Sequence, residues 1–309
     1  MSVRTAAASG SDCLITIATV CWNAMPWLPR CMESVQAQLQ DVTDVEHLVV
    51  DGASTDGTVE YLQTLSHIRM VSERDRGISD ALNKAIGLAR GQWILFLNAD
   101  DEMAPGAVQW LREVALAHPE AGWLQGSVVW IDPDGTEVGR QVADARKVKA
   151  LRWSTKFNQQ AALVHRTVYE RFGGYDIDFK FVMDYDFWLR IFRQVPPLCF
   201  DVPVARYRMH WESTSRSNVW KAESEKHRAR IKNRAQLTGM TELESLALVA
   251  ATYWRSPTIA HYLSIGAARR GRPLEALGWS LRNLQVKPLQ SPEHFLNTLR
   301  SLRRPSGRG

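Results

Sequence analysis

The sequence predicts an α/β fold: a mixed, mostly parallel sheet flanked by helices, followed by a helical C-terminal extension. Short apolar runs rich in β-branched residues alternate with helical spacings along the first half of the chain. A strand–helix–strand unit with a right-handed crossover makes neighbouring strands parallel. The last third shows helical spacing only, broken by Gly, Pro or Ser. The 309 residues suffice for one large α/β domain with an appendage.

The first half of the chain contains the runs that predict parallel strands. Each run is short and apolar and ends in polar residues, and the four runs cover residues 14–20, 46–50, 68–71 and 93–97. Between and after them, apolar residues recur every three or four positions, which predicts helices. These helices cover residues 27–40, 58–65, 81–90 and 104–117.

The second half is less regular. The residue pattern predicts further strands at 123–131, 157–165 and 202–208, and helices at 167–172 and 183–191. From residue 217 the pattern is helical, at 219–237, 241–254, 258–270 and 274–285. The predicted organisation is a flexible N-terminus (1–12), an α/β domain (13–216), a helical extension (217–300) and a flexible tail (301–309).

The composition is that of an ordinary soluble protein, with 45% hydrophobic and 23% charged residues. No apolar run approaches the roughly 20 residues that a membrane-spanning helix needs. The start of the chain has no secretory hydrophobic core, so we expect a cytoplasmic protein. The four cysteines form no Cys-x-x-Cys pair, which argues against a zinc knuckle or a redox motif.

The net charge of +5 is unevenly distributed, because Arg and Lys crowd the last third of the chain. Basic amphipathic helices bind anionic membrane surfaces, and a peripheral position on the inner face of the membrane is one interpretation. The other is a helical cap packed on the α/β domain. No recognised nucleic-acid-binding module accompanies the charge, so we expect no nucleic-acid partner. The basic residues are Arg228, Arg230, Lys232, Arg234, Arg269, Arg270, Arg272, Arg300, Arg303 and Arg304.

Polar side chains follow three of the predicted strands, at residues 19–23, 51–56 and 98–101. The carboxyl ends of parallel strands lie along one edge of a sheet, where α/β proteins bind their ligands. Asn and Asp also favour simple turns, which is the alternative at each strand end. Glycine-rich phosphate-binding motifs are absent, so an anionic diphosphate facing these carboxylates needs a bridging cation. Oxygen ligands favour Mg²⁺ or Mn²⁺.

Six segments together resemble the family 2 glycosyltransferases, which have the Rossmann-like GT-A fold. They occur in the family's order and cover about residues 13–216. The segments are Asp51–Thr58, Ser72–Lys84, Phe96–Asp101, Gly173–Asp176, Asp184–Arg190 and Tyr207–His210. The resemblance implies inverting transfer of a sugar from a nucleotide diphospho-sugar donor to a glycan or lipid-linked acceptor, in bacterial polysaccharide or glycolipid synthesis.

The resemblance also assigns roles to residues of this chain. Asp51 is expected to contact the base or ribose of the nucleotide, with Thr19, Asn23 and Asp80 beside the same pocket. Residues 98–100 occupy the place of the family's Asp-x-Asp motif, with Asn98 in place of the first acid. Asp100 is the expected ligand of the metal that bridges the diphosphate, and His210 is a further metal or phosphate contact.

Asp184 is the predicted general base, which takes the proton of the acceptor hydroxyl as that hydroxyl attacks. Asp186 is its competitor. Residues two apart on a helix point in different directions, so only one of the two is expected to face the pocket.

Two rival functions stay open from the sequence. A nucleotidyltransferase shares the sheet but carries a Gly-rich loop after its first strand, and residues 22–29 contain no Gly. A catalytically idle scaffold is suggested by Asn98 in place of Asp. Among the tryptophans, Trp22 and Trp188 are expected to fill the core, whereas Trp153 and Trp211 are candidates for contact with the acceptor.

Overall fold

The computed structural model describes residues 13–152, 157–210 and 219–233. The chain divides into two compact units. The first comprises Met1–Ser217 with Lys232–Gly239, and the second comprises Asn218–Ile231 with Met240–Gly309. The first unit contains the sheet and every predicted site residue. The expected domain boundary at residue 216 lies beside the end of its main segment, but a second segment that begins at Lys232 also belongs to this unit.

The first unit is built on one nine-stranded sheet. Its order is β3-β2-β1-β4-β8-β6-β9-β5, and β7 pairs with β6 outside this path. The strands β3, β2, β1 and β4 are parallel, as the sequence predicts, whereas β8 runs antiparallel to β4. The strands are β1 (Ile15–Cys21), β2 (Val45–Asp51), β3 (Ile68–Ser72), β4 (Trp93–Phe96), β5 (Glu102–Met103), β6 (Trp123–Ile131), β7 (Glu137–Gln141), β8 (Ala162–His165) and β9 (Leu198–Arg208).

The helices follow the predicted positions with shifts of a few residues at their ends. They are α1 (Leu28–Gln36), α2 (Thr58–Gln63), α3 (Ile78–Leu88), α4 (Ala107–Ala117), α5 (Arg166–Phe172), α6 (Met183–Ile191) and α7 (Val219–Lys232). Residues after 233, which include the other three predicted helices, and the predicted flexible ends 1–12 and 301–309 lie outside the described residues.

Two predicted strands have other bounds in the structure, and two further strands were not predicted. The expected strand at 157–165 begins as a short 3₁₀ helix, Gln159–Ala161, and only Ala162–His165 pair in the sheet. Strand β9 starts four residues earlier than expected, at Leu198, because it continues beside β6. Strands β5 and β7 were missed. β5 has only two residues. The side chains of β7 are exposed or partly exposed, so neither strand contains an apolar run.

The parallel strands end in register, which brings their terminal residues side by side. Cys21 at the end of β1 pairs with Asp51 at the end of β2, and Asp51 pairs with Ser72 at the end of β3. Ala18 of β1 pairs with Phe96, the last residue of β4. The loops that follow β1, β2, β3 and β4 therefore leave the sheet along one edge.

The core is continuous on the face of the sheet that carries α1 and α4, where Leu28, Met32 and Leu111 are fully buried. Helix α6 is buried along most of its length, and its Trp188 stacks on Trp123 of β6 with ring centroids 4.3 Å apart. The prediction that Trp188 fills the core is confirmed. Within the part of the chain that the structure describes, no helix combines the length and apolar character needed to cross a membrane.

Candidate active site

The loops after β1 and β2 are fastened to each other by short polar contacts. The backbone N–H of Asn23 donates to Oγ of Ser54 at 2.7 Å, and the N–H of Thr55 donates to Oδ1 of Asn23 at 2.9 Å. Asn23 has a φ of +48°, a conformation that Asn tolerates better than most residues. Asn23 therefore shapes the predicted nucleotide-binding edge through its backbone and its side chain.

Asp51 is completely buried at the centre of this edge. Its Oδ1 accepts a hydrogen bond from Oγ of Ser54 at 2.5 Å, and its Oδ2 accepts one from Oγ of Ser72 at 2.6 Å. The N–H of Ser54 also donates to Oδ2, at 3.1 Å. Asp51 thus ties together the ends of β2 and β3 and the loop between residues 52 and 57.

Thr19 lies in β1, and Asp80 lies in the first turn of α3. Thr19 is buried, and its Oγ1 lies 3.1 Å from Nε2 of His47 on the neighbouring strand β2. Asp80 stands in the first turn of α3 and accepts hydrogen bonds from the backbone and guanidinium of Arg76, each at 3.0 Å. The hydrogen bond from the Arg76 side chain lowers the pKa of Asp80, which holds this carboxylate in its charged form.

Residues 98–101 form a tight turn after β4 in which Asn98 serves Asp101. Nδ2 of Asn98 donates to Oδ2 of Asp101 at 3.2 Å, and Nε2 of Gln160 donates to the same oxygen at 2.9 Å. Burial raises the pKa of Asp101 well above its usual value, and the charge of Asp100 adds to this rise. A carboxylate at position 98 would repel Asp101, which explains why an amide stands there.

Asp100 and His210 meet at the end of β4. Nε2 of His210 lies 2.9 Å from Oδ2 of Asp100, and the Asp100 side chain is 30% exposed. Nδ1 of His210 is buried and has no hydrogen-bond partner within the described residues. The ring of Trp27 lies 4.9 Å from that of His210, centroid to centroid, and holds the imidazole in place. The structure brings together the two predicted metal ligands.

Arg208 organises the turn on which Asp100 stands. Its Nε donates to the carbonyl of Asp100 at 3.1 Å, its backbone N–H donates to Asp101 at 2.8 Å, and its guanidinium is paired with Glu102. The guanidinium also stacks over Trp27, 5.2 Å from the ring centroid. The sequence indicates Arg208 only as part of the motif at 207–210, so this role was not predicted.

The donor set at this corner fits a divalent metal that completes its shell with substrate. It offers one carboxylate and one imidazole, which suits Mn²⁺ better than the strictly oxygen-bound Mg²⁺. No group of three His, Cys, Asp or Glu side chains suited to a metal occurs in residues 13–152, 157–210 and 219–233. Two protein ligands with the rest supplied by diphosphate and water is a common arrangement for such ions.

Helix α6 separates its two acids. Asp186 is completely buried and ion-paired with Arg190 and Lys232, at 3.1 Å and 3.0 Å. Asp184 stands in the first turn of the helix and is only partly buried. Its charge contributes to the raised pKa of Tyr175, a rise that burial dominates. Asp184 is therefore the acid of this pair that solvent can reach.

Trp22 was expected in the core, and that prediction was wrong. The side chain is 68% exposed, in the loop after β1. A Cβ atom on Gly52 would lie 3.4 Å from Cδ1 of Trp22 and 2.6 Å from Oδ2 of Asp75, so the indole lies against the loop that follows Asp51. An exposed aromatic residue at this edge has the character of a stacking surface. Trp153 and Trp211 lie outside the described residues.

A sequence profile described as Glycosyl transferase family 2 matches residues 16–176, more than half of the 309-residue chain. The chain belongs to glycosyl transferase family 2. This match contains the strand ends of β1 to β4 and the turn with Asp100, and it confirms the family predicted from the six motifs.

Curated relatives carry glycosyltransferase names. The chain is 29% identical over 178 residues to the PGL/p-HBAD biosynthesis glycosyltransferase of Mycobacterium tuberculosis, covering 55% of this chain and 66% of that protein. It is 37% identical over 100 residues to a chondroitin synthase of Escherichia coli, covering 31% of this chain and 14% of that protein. The chain thus spans just under two thirds of the mycobacterial relative and a small part of the synthase.

Solved structures show the same fold at low identity. S. aureus TarS 1-349 in complex with UDP-GlcNAc superposes with a TM-score of 0.59 at 14% identity, covering 94% of this chain and 91% of that one. The mannosyltransferase PcManGT from Pyrobaculum calidifontis, in complex with GDP-Man and Mn²⁺, superposes with a TM-score of 0.53 at 22% identity, covering 96% of this chain and 88% of that one. The α/β architecture is that of the GT-A glycosyltransferases.

Proposed function

We propose that this chain is a metal-dependent inverting glycosyltransferase, which moves a sugar from a nucleotide diphospho-sugar to the hydroxyl of a glycan or lipid-linked acceptor. The observation that carries the proposal is the contact between Asp100 and His210 at 2.9 Å, at the edge where the parallel strands of a family 2 chain end. A carboxylate and an imidazole that meet at such an edge are suited to hold a cation against a diphosphate.

The nucleotide half of the donor is assigned to the fastened loops after β1, β2 and β3. Asn23 and Asp51 shape that surface, and Asp80 stands charged at its side. The exposed ring of Trp22 offers a face for the base. The two neighbours solved with UDP-GlcNAc and GDP-Man carry different bases, so the choice of base for this chain is left to experiment.

The metal is assigned to Asp100 and His210. Asn98 and Arg208 hold the turn after β4, on which Asp100 stands. Mn²⁺ or Mg²⁺ held there would supply Lewis-acid stabilisation of the diphosphate leaving group. The neighbour solved with GDP-Man also holds Mn²⁺, which supports a divalent ion in this fold. The residues of this chain orient the leaving group, and Trp27 keeps the imidazole of His210 in one orientation.

Asp184 acts as the general base. As the acceptor oxygen attacks the anomeric carbon, its proton passes to the Asp184 carboxylate, and the bond between that carbon and the diphosphate oxygen breaks. Attack on the face opposite the leaving group inverts the anomeric centre. The support for Asp184 over Asp186 is that both oxygens of Asp186 accept from Arg190, Lys232 or Asn233 inside the protein.

The acceptor is proposed by class only. One relative is named for PGL/p-HBAD biosynthesis and another for chondroitin synthesis, which supports glycan or lipid-linked hydroxyls. Contact with an anionic membrane surface from the cytoplasmic side remains part of the proposal. Of the tail residues that the sequence analysis lists as basic, Arg230 is buried, Lys232 is ion-paired and Arg228 is exposed.

The idle-scaffold alternative loses its main support in the turn after β4. Asn98 is the hydrogen-bond donor that the buried Asp101 requires, so the amide stabilises the turn that presents Asp100. Its presence therefore argues for an intact metal-binding turn and against a decayed one.

Release of nucleotide from UDP-GlcNAc and from GDP-mannose, with Mn²⁺ present, tests the proposal in the wild type and in Asp184→Asn. We expect Asp184→Asn to lose about 10²- to 10⁴-fold in turnover while it still binds UDP or GDP, because only the proton acceptor is removed. Asp178→Asn, an exposed acid just before α6, is the matched control and keeps full turnover. Undiminished turnover in Asp184→Asn would refute the assignment, and nucleotide binding without turnover in the wild type would favour the scaffold.

A further inference from the structure

Asp186 is a buried acid with partners on its own helix and in a segment more than 40 residues further along the chain. Nε of Arg190 donates to it at 3.1 Å from the next turn of α6. Nζ of Lys232 lies 3.0 Å from Oδ1, and Nδ2 of Asn233 donates to the same oxygen at 2.9 Å. A buried carboxylate is stable only when such groups surround it, so these residues hold it in place.

Lys232 extends this network to the loop before α6. Its Nζ lies 2.8 Å from Oδ2 of Asp176 and 5.3 Å from the centre of the Phe179 ring. Arg190 closes the other side, because its guanidinium donates to the carbonyls of Phe172 and Gly174, each at 2.6 Å. Three segments therefore meet at Asp186: the loop at 172–179, helix α6 and the pair Lys232–Asn233.

The charges in this network are balanced. Two carboxylates, Asp176 and Asp186, face two cations, Arg190 and Lys232. Without Lys232, both acids lose an ion-pair partner, and the buried Asp186 would be under-compensated. Asp184 stands on the same helix, two residues before Asp186, so a shift of α6 that relieves this imbalance also moves Asp184.

We propose that Lys232 and Asn233 are positioning residues for Asp184, acting through Asp186. The inference rests on the proposed role of Asp184 as the base, and it extends the catalytic unit past residue 216. The division of the chain supports it, since Lys232–Gly239 belong to the same compact unit as the sheet and α6. A polypeptide that ends at residue 216 therefore lacks a part of the machinery that orients its base.

The test compares Lys232→Met with Lys232→Arg and Lys226→Met in the full chain. Lys226 also forms an ion pair with a carboxylate on α7, with Glu223 at 2.8 Å, so its loss is the matched control. The readouts are kcat and KM for nucleotide release from UDP-GlcNAc and from GDP-mannose with Mn²⁺. We expect Lys232→Met to lose about 100-fold in kcat, the scale that a misplaced catalytic group costs, with KM unchanged.

Lys232→Arg restores most of kcat, because a guanidinium at the same place also pairs with both acids. A merely structural role would lower the amount of folded enzyme and leave kcat per folded molecule unchanged. Wild-type kcat in Lys232→Met, or an equal loss in Lys226→Met, would overturn the inference. If Lys232→Met does not fold, Asn233→Ala removes the hydrogen bond from Nδ2 to Asp186 without removing a charge, and a smaller loss of kcat at constant KM is expected.

Two further measurements keep the inference separate from the proposed function. Asp184→Asn is assayed in parallel: full activity there refutes the base assignment, whereas an inactive Asp184→Asn beside a normal Lys232→Met refutes only the positioning role. Amide hydrogen exchange across residues 183–191 requires no donor. Exchange should be faster in Lys232→Met than in Lys226→Met, and equal exchange in the two variants overturns the inference even if neither sugar nucleotide is turned over.

Discussion

Nε2 of His210 lies 2.9 Å from Oδ2 of Asp100, although 110 residues separate them along the chain. Strand β9 makes this contact possible. It runs beside β6 and ends at Arg208, which contacts the turn after β4, and His210 follows two residues later. The imidazole packs near the ring of Trp27, and its Nε2 faces the Asp100 carboxylate.

This pair predicts that a divalent metal strengthens nucleotide binding, and that replacement of either residue abolishes the effect. Binding of UDP and of GDP is measured by calorimetry with and without Mn²⁺. We expect Mn²⁺ to strengthen binding of one nucleotide in the wild type, and Asp100→Asn or His210→Gln to abolish that gain while metal-free binding stays the same. The reason is that both variants remove a ligand and leave the nucleotide loops intact.

Asp134→Asn is the control for this experiment, because Asp134 is an exposed acid in the turn between β6 and β7. Arg208 contacts the carbonyls of Asp132 and Pro133 in the same turn. It should retain the full Mn²⁺ effect. Metal-independent binding in the wild type would remove Asp100 from its role and point to Lys or Arg as the partner of the diphosphate.

His47 predicts how stability changes with pH. Burial lowers the pKa of His47 to about 3 from its ordinary 6.5, and the neighbouring His67, 5.9 Å away between ring centroids, adds to the effect. Below pH 6.5 His47 binds a proton in the unfolded chain but stays neutral in the folded chain. The stability from neutral His47 is therefore complete above pH 6.5 and is lost as the pH falls toward 3, by about 1.4 kcal/mol per pH unit.

Urea unfolding at several pH values between neutrality and mild acid checks this slope. His47→Gln keeps a hydrogen-bonding side chain beside Thr19 but does not titrate, so its unfolding free energy should fall less steeply with acid than that of the wild type. His118→Gln, at a histidine that is partly exposed, is the matched control substitution. Identical slopes in His47→Gln and the wild type would contradict the burial argument.

Much of the sheet was predictable, because local signals specify it. The apolar runs that become β1, β2, β3 and β4 stop at polar residues, and those residues are the ones that line the edge. Helix α6 was predicted with its observed ends, since its apolar spacing is strong. Strand β5 has two residues and depends wholly on pairing with β9, a contact that no local pattern announces.

The site was predictable only where a motif carries it. Asp100 and His210 came from the resemblance, and the structure brings them together. Arg208 and Lys232 were missed as organisers, because their partners lie far along the sequence and long charged side chains usually face solvent. Trp22 was misassigned, since most aromatic residues are buried and the sequence does not reveal on which side of a loop a side chain lies.

The exposed ring of Trp22 predicts a contribution to nucleotide binding that does not depend on metal. Trp22→Ala should weaken binding of UDP or GDP by about 1–3 kcal/mol, the range found when an aromatic partner of a stacked base is removed. The loss should be equal with and without Mn²⁺, because the indole offers a face to the base and no ligand to a metal. Trp22→Tyr keeps an aromatic face and should recover most of the affinity. Leu116→Ala is the control, because Leu116 is also an exposed apolar side chain but lies on α4. This variant should bind nucleotide normally. If Trp22→Ala binds as tightly as the wild type, the indole is not a stacking surface, and the base must be held by the groups around Asp51 alone.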